Sequence, residues 1–157
     1  MPNRPEIYSM TDKSTKVSGY TFDVGTITVT IGSTKYTTTP KKNGDWAVTL
    51  PKLLKVSTKV SVTITVKKMP SKARVIVVKP SMPTVNKATT KSKSITGKTY
   101  AKAKISINVI GKWKTLIAST KGIFALKLSS ALKKGSNFYI KTTYMGLVSE
   151  LKKVHVY

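Results

Sequence analysis

The sequence predicts an all-β protein built from two tandem β-sandwiches of about seven strands each. Two observations carry the prediction. The 157-residue chain repeats itself at an offset of 78 residues, and within each copy apolar residues alternate with polar ones at the period of two that is typical of strands. Seven short strands with one buried face each favour two sheets packed against each other.

The two copies align without a gap over most of their length. Because an ungapped register over so many residues indicates duplication, we expect one domain over residues 1–79 and a second over residues 80–157, with the boundary near Lys79-Pro80. The clearest matching segments are Val17–Gly19 with Ile95–Gly97, Ile27–Ile31 with Ile105–Val109, and Gly44–Leu50 with Gly122–Leu128.

Each strand is predicted from alternation and ends at a turn residue. Thr and Val between the apolar positions suit half-buried, pleated backbone, and Gly32-Ser33 and Asn43-Gly44 mark turns. The connector Leu50–Leu54 is too short to form a helix of any length. In the first copy we expect strands at about 5–10, 15–22, 26–32, 34–40, 45–50, 58–66 and 73–79, and in the second copy again 78 residues on.

Two aromatic residues open matching strands. Trp46 and Phe124 occupy the same position of the two copies. In each strand the aromatic residue and the apolar residues that follow it occupy every second position, so they belong to the same side of the strand. A large aromatic side chain at such a position fills the space between two sheets. We therefore expect both rings to lie in the core.

The charge is strongly unbalanced. The chain has 29 Lys and Arg residues against 5 Asp and Glu, a formal net charge of +24, and only Arg4 and Arg74 are arginine. The lysine ammonium is a hydrated, mobile point charge, whereas the arginine guanidinium can donate two parallel hydrogen bonds to one anion. The lysines are also dispersed along the chain. This pattern predicts diffuse attraction to a polyanion, such as nucleic acid, anionic membrane or anionic cell-wall polymer, or a surface that serves only solubility.

The composition argues against an enzyme. The five carboxylates, one histidine and absence of cysteine leave few groups for acid–base, nucleophilic or metal-assisted chemistry, so we expect no catalytic residues, no cofactor and no metal.

No apolar run approaches the roughly 20 residues of a membrane span. No apolar leader is visible after Met1-Pro2, and we expect a monomeric fragment of a longer chain.

Two local motifs are explained by strand sequence. Gly97-Lys98-Thr99 matches half of a phosphate-binding loop, but Ser92 stands where the leading glycine belongs and no helix is predicted to follow. Glu150 and His155 lie five residues apart, so a regular strand points them to opposite faces. Neither motif predicts a site.

The order of these features resembles bacterial immunoglobulin-like (Ig-like) domains of the Big type. The resemblance is carried by Val17-Ser18-Gly19, Asn43-Gly44-Asp45-Trp46 and the alternating Val60–Val66 strand, together with their second-copy counterparts. It implies tandem domains of secreted or cell-surface proteins of Gram-positive bacteria, which act as stalks, spacers or adhesive modules. The acidic clusters of relatives that bind calcium between domains are absent around Lys79-Pro80.

The sequence therefore predicts a non-catalytic surface-protein segment, located outside the cell or in the bacterial cell wall. We expect its basic surface to associate with anionic cell-wall polymers; surface or host glycans or proteins are further candidate partners. A specific nucleic-acid partner is not expected, because arginine and aromatic residues are not interleaved.

The alternative function is a specific glycan- or cell-wall-binding module of a larger hydrolase or adhesin. Its candidate contact residues are Trp113, Tyr100, Lys112 and Lys114. Trp113 is the most distinctive of them, since the first copy has Lys35 at the matching position. An exposed indole there could stack on sugar rings.

Overall fold

The computed structural model describes all residues from Met1 to Tyr157, and its regular secondary structure consists of strands. These strands form four sheets, two in each of two compact units, Met1–Lys79 and Pro80–Tyr157. The all-β prediction of two Ig-like sandwiches is confirmed. The protein has no helix that could cross a lipid bilayer.

Unit 1, Met1–Lys79, contains eight strands. They are β1 (Glu6–Ile7), β2 (Lys16–Tyr20), β3 (Thr26–Ile31), β4 (Thr34–Thr38), β5 (Asp45–Thr49), β6 (Lys59–Val66), β7 (Met69–Pro70) and β8 (Arg74–Val77). One sheet has the order β1-β2-β5, and the other has the order β4-β3-β6-β7, with β8 also paired to β6.

Unit 2, Pro80–Tyr157, repeats this arrangement. Its strands are β9 (Thr84–Val85), β10 (Ser94–Lys98), β11 (Lys104–Val109), β12 (Lys112–Ile117), β13 (Ile123–Lys127), β14 (Asn137–Tyr144), β15 (Leu147–Val148) and β16 (Lys152–His155). The sheets have the orders β9-β10-β13 and β12-β11-β14-β15, with β16 also paired to β14. All neighbouring strands are antiparallel.

Alternation along each strand builds the two cores. In β3, Ile27 and Val29 are fully buried while Thr26 is exposed, and in β11, Ile105 and Ile107 are buried in the same way. Trp46 and Phe124 are each 2% exposed and belong to the core of their own unit, as predicted. Side chains on the opposite face of each long sheet are more exposed to solvent.

Each unit has eight strands rather than about seven, because a tight turn adds a two-residue strand after the long β6 or β14. In unit 1 the turn residues Lys67 and Lys68 both have positive φ, 46° and 68°. This is the backbone of a type I′ turn, whose twist matches that of the strands it joins. Met145 and Gly146 form the matching turn in unit 2.

Candidate functional site

Residue types suited to catalysis are dispersed and engaged in structural contacts. The Arg74 guanidinium donates to Glu6 at 2.8 Å, and Asp23 accepts a hydrogen bond from the backbone of Asn3. His155 is exposed at the end of β16, with Nδ1 3.3 Å from Asn137 Oδ1. The side chains of His, Asp and Glu form no group of three that could hold a metal ion.

The Gly97-Lys98-Thr99 segment is explained by packing. Gly97 lies within β10, between β9 and β13, and a Cβ there would collide with the Thr84 carbonyl oxygen and the Phe124 ring. The glycine therefore permits close approach of strands. The segment is strand rather than a phosphate-binding loop.

Three of the four candidate contact residues lie together on the edge strand β12, where Lys112, Trp113 and Lys114 are all exposed. Since successive side chains of a strand point to opposite faces, the structure divides them. Trp113 is paired with Asn108 and belongs to the outer face of the sheet. Lys112 and Lys114 are paired with the inward-facing Val109 and Ile107, and belong to the other face.

On the outer face, Trp113 begins a row of four side chains, one from each of four neighbouring strands. The register places Trp113 opposite Asn108, Asn108 opposite Tyr139, and Tyr139 opposite Lys153. Trp113 is 49% exposed and Tyr139 is 38% exposed. We call this row, together with Lys141, the aromatic face.

Lys141 belongs to the aromatic face because its Nζ lies 5.1 Å from the centroid of the Trp113 ring. Trp113 is on β12 and Lys141 is on β14, so this cation–π contact crosses the intervening strand β11. Beneath it Ser106, the cross-strand neighbour of both Thr115 and Lys141, is only 8% exposed. The indole thus lies across the sheet beside a lysine ammonium group.

Lys112 and Lys114 instead line a cleft of about 320 Å3 at one end of unit 2. Apolar side chains form its floor, including Val109, Leu126 and Leu128. Unit 1 has Tyr36 at the position of Lys114, and that ring packs against the unit 1 core. The two lysines are therefore separated from Trp113 by the sheet itself.

Tyr100 is not brought to the aromatic face. Its ring stacks on Tyr144 with centroids 4.5 Å apart, and its hydroxyl accepts a hydrogen bond from the Ser81 backbone at 2.8 Å. Tyr144 follows Thr143, which pairs with Lys104, whereas Trp113 pairs with Asn108. Thr143 is thus four residues, or about 13 Å at ~3.3 Å per residue, from Trp113 along β11, and Tyr144 lies one residue further away.

Sequence reasoning missed Asn108, Tyr139, Lys141 and Lys153. A signal for Tyr139 is present, because it alternates with the buried Phe138 and Ile140 and takes the place of Ser61 in the first copy. Alternation assigns it to the outer face. Only the strand register, however, shows that it shares a row with Trp113.

No known protein family and no curated protein matches the chain. Solved structures with a similar fold include a biofilm-associated protein BSP domain, at 16% identity and a TM-score of 0.45, covering 98% of this chain and 29% of that one. A bacterial ice-binding adhesin matches at 17% identity and a TM-score of 0.37, covering 90% of this chain and 57% of the adhesin chain.

A segment of two fibronectin type III domains from chicken tenascin matches at 15% identity and a TM-score of 0.40, with coverage of 96% and 97%. The chain thus spans 29% and 57% of the lengths of the two bacterial structures. The Ig-like assignment of each unit rests on its own strand order and register.

Proposed function

We propose that this chain is a non-catalytic segment of a bacterial surface protein, which acts as a stalk or spacer and adheres to anionic polymers of the cell wall. In this proposal, residues 1–79 and 80–157 are two bacterial Ig-like domains of the Big type. The protein is extracellular, at the surface of a Gram-positive cell.

The observation that carries the proposal is the excess of cations over carboxylates. Five carboxylates cannot neutralise 29 lysine and arginine side chains. Glu6, Asp23 and Asp45 are among the carboxylates that make contacts within unit 1. The remaining positive charge is spread over the strands of both units, which suits a flexible polyanion that can meet many lysines at once.

Binding to a polyanion through dispersed lysines releases condensed counterions, so affinity falls steeply as salt concentration rises. The test is a pull-down on purified cell walls, with and without teichoic acid, over a series of salt concentrations. We expect retention that needs teichoic acid and decreases smoothly with salt. Equal retention on walls stripped of teichoic acid would contradict the proposal.

A second candidate function is specific glycan recognition, and the aromatic face favours it. Exposed aromatic side chains in one row of a sheet form a surface on which sugar rings can stack. Binding through diffuse charge attraction would not require such a surface. This candidate predicts saturable binding that persists in salt and is lost in a Trp113→Ala variant. Diffuse association predicts instead that no single residue is decisive.

A further inference from the structure

We propose that the aromatic face of unit 2 binds an extended acidic polysaccharide that carries one negative charge per disaccharide, and that unit 1 lacks this site. The inference deepens the second candidate function above and rests on it. It names the chemical class of the ligand and the residues that recognise it.

The spacing of the two aromatic rings suggests the repeat of the ligand. Trp113 and Tyr139 lie in one row on strands separated by a single strand, β11. Two inter-strand steps of ~4.8 Å place their backbones about 10 Å apart. This distance is close to the length of a disaccharide in an extended β-linked glycan. The apolar C–H faces of alternate sugar rings could then pack on the two aromatic rings.

A lysine accompanies each aromatic residue. Lys141 Nζ lies 5.1 Å from the Trp113 ring centroid, and Lys153 is the cross-strand neighbour of Tyr139. Each of the two aromatic residues therefore has one lysine near it that can meet a carboxylate of the bound sugar chain. Between the pairs lies Asn108, whose half-buried amide can donate to and accept from sugar hydroxyls.

Unit 1 provides a natural comparison because its sheet has the same register. The matching row is Lys35, Thr30, Ser61 and Val75. It contains no aromatic residue, and a valine stands in place of Lys153. Two copies of one fold therefore differ at the positions that form the aromatic face, which is not explained by packing of the core.

The face suits a glycan better than single-stranded nucleic acid. Bases stacked on a protein surface follow one another at short intervals and are commonly held by arginine as well as aromatic residues. The aromatic face has no arginine, and its two rings are separated by a whole strand. We therefore expect oligonucleotides to bind only through the diffuse charge.

The experiment measures binding of hyaluronan octasaccharide, a β-linked polymer of alternating acidic and neutral sugars, to the full chain by calorimetry in 150 mM salt. The first variant, Trp113→Lys/Tyr139→Ser, gives unit 2 the residues of unit 1. It adds one positive charge, so electrostatic attraction alone predicts equal or tighter binding. We expect affinity to fall by at least about tenfold.

The second variant is conservative. Trp113→Phe/Tyr139→Phe keeps two aromatic rings, and we expect it to retain affinity within about threefold. A third variant transplants the face by introducing Lys35→Trp, Thr30→Asn, Ser61→Tyr, Val75→Lys and, at the position of Lys141, Thr63→Lys into the wild-type chain. It should double the number of octasaccharide sites. Far-UV circular dichroism and thermal unfolding check that each variant is folded.

Three results would overturn the inference: wild-type affinity in the Trp113→Lys/Tyr139→Ser variant, equal binding of an uncharged chito-oligosaccharide, or tighter binding of a (dT)8 oligonucleotide. The proposed cell-wall function fails by a different result, namely retention on walls that does not depend on teichoic acid. Substituting exposed unit 1 lysines, such as Lys35 and Lys59, with glutamine should weaken wall retention and leave octasaccharide affinity unchanged.

Discussion

Gly97 lies directly opposite Phe124 in the pair formed by β10 and β13, and a Cβ on residue 97 would stand 2.7 Å from Phe124 Cζ. Gly19 has the same relationship with Trp46 in unit 1. In both units the glycine gives room for the core ring and for a neighbouring strand. The duplicated glycine is thus a packing residue.

Substitution of Gly97 by alanine should lower the free energy of unfolding of unit 2 by at least about 1–3 kcal/mol, because the added methyl group would collide with the backbone carbonyl of Thr84 and overpack the Phe124 ring. Urea unfolding followed by Trp113 fluorescence, in a Trp46→Phe background, measures the effect. The exposed neighbour Lys98 is the control, and Lys98→Ala should change stability by less than about 0.5 kcal/mol. Equal effects of the two substitutions would contradict the packing role.

Exchange of the two core rings should cost less stability in unit 1 than in unit 2. The buried Trp46 Nε1 has no hydrogen-bond partner, so Trp46→Phe removes an unsatisfied donor while leaving a ring that unit 2 tolerates. We expect a change below about 1.5 kcal/mol. Phe124→Trp adds volume and an N–H group to a packed core and should cost about 1–3 kcal/mol.

Each effect is read by urea unfolding followed by circular dichroism on the full chain. The Trp46→Ala and Phe124→Ala variants, which remove the ring, are the reference for comparison. Each should lower the free energy of unfolding by about 3–5 kcal/mol. A stabilising Phe124→Trp substitution would show that the unit 2 core has room that the packing does not indicate.

The Lys67-Lys68 turn should gain stability from glycine. Non-glycine residues pay roughly 1–2 kcal/mol for left-handed backbone, and Lys68 has φ of 68°. Glycine avoids this cost but loses more entropy on folding, so Lys68→Gly should stabilise unit 1 by about 0.5–1 kcal/mol. Gly146→Lys is the reciprocal variant in unit 2 and should destabilise it. Thermal unfolding checks both, and changes of the same sign would contradict the turn assignment.

Tyr100 should contribute to stability and leave glycan binding unaffected. Tyr100→Phe keeps the stack on Tyr144 and removes the hydroxyl that contacts Ser81, which should cost about 1 kcal/mol. Its affinity for hyaluronan octasaccharide should equal that of the wild type. A tenfold loss of affinity, measured by calorimetry, would place Tyr100 in the binding site after all.

The sequence was sufficient for the division into core and surface. Alternation and duplication are properties of the linear chain, so Trp46, Phe124 and the Ile27–Ile31 strand could be assigned to the core before any strand was paired. The turn at Lys67-Lys68 escaped prediction because lysine is a poor indicator of positive φ. Here strand pairing on both sides imposes the turn.

The candidate site shows what the linear pattern does not contain. Lys112, Trp113 and Lys114 are neighbours in sequence, yet pleating sends Trp113 to one face and the two lysines to the other. Trp113 and Tyr139 are distant in sequence, yet one strand register aligns them across β11. The sequence by itself determined which side of its strand each residue occupies, because that depends only on local alternation. Which outward residues stand side by side was decided by the tertiary structure alone, since neighbours across a sheet are set by how strands far apart in the chain are paired.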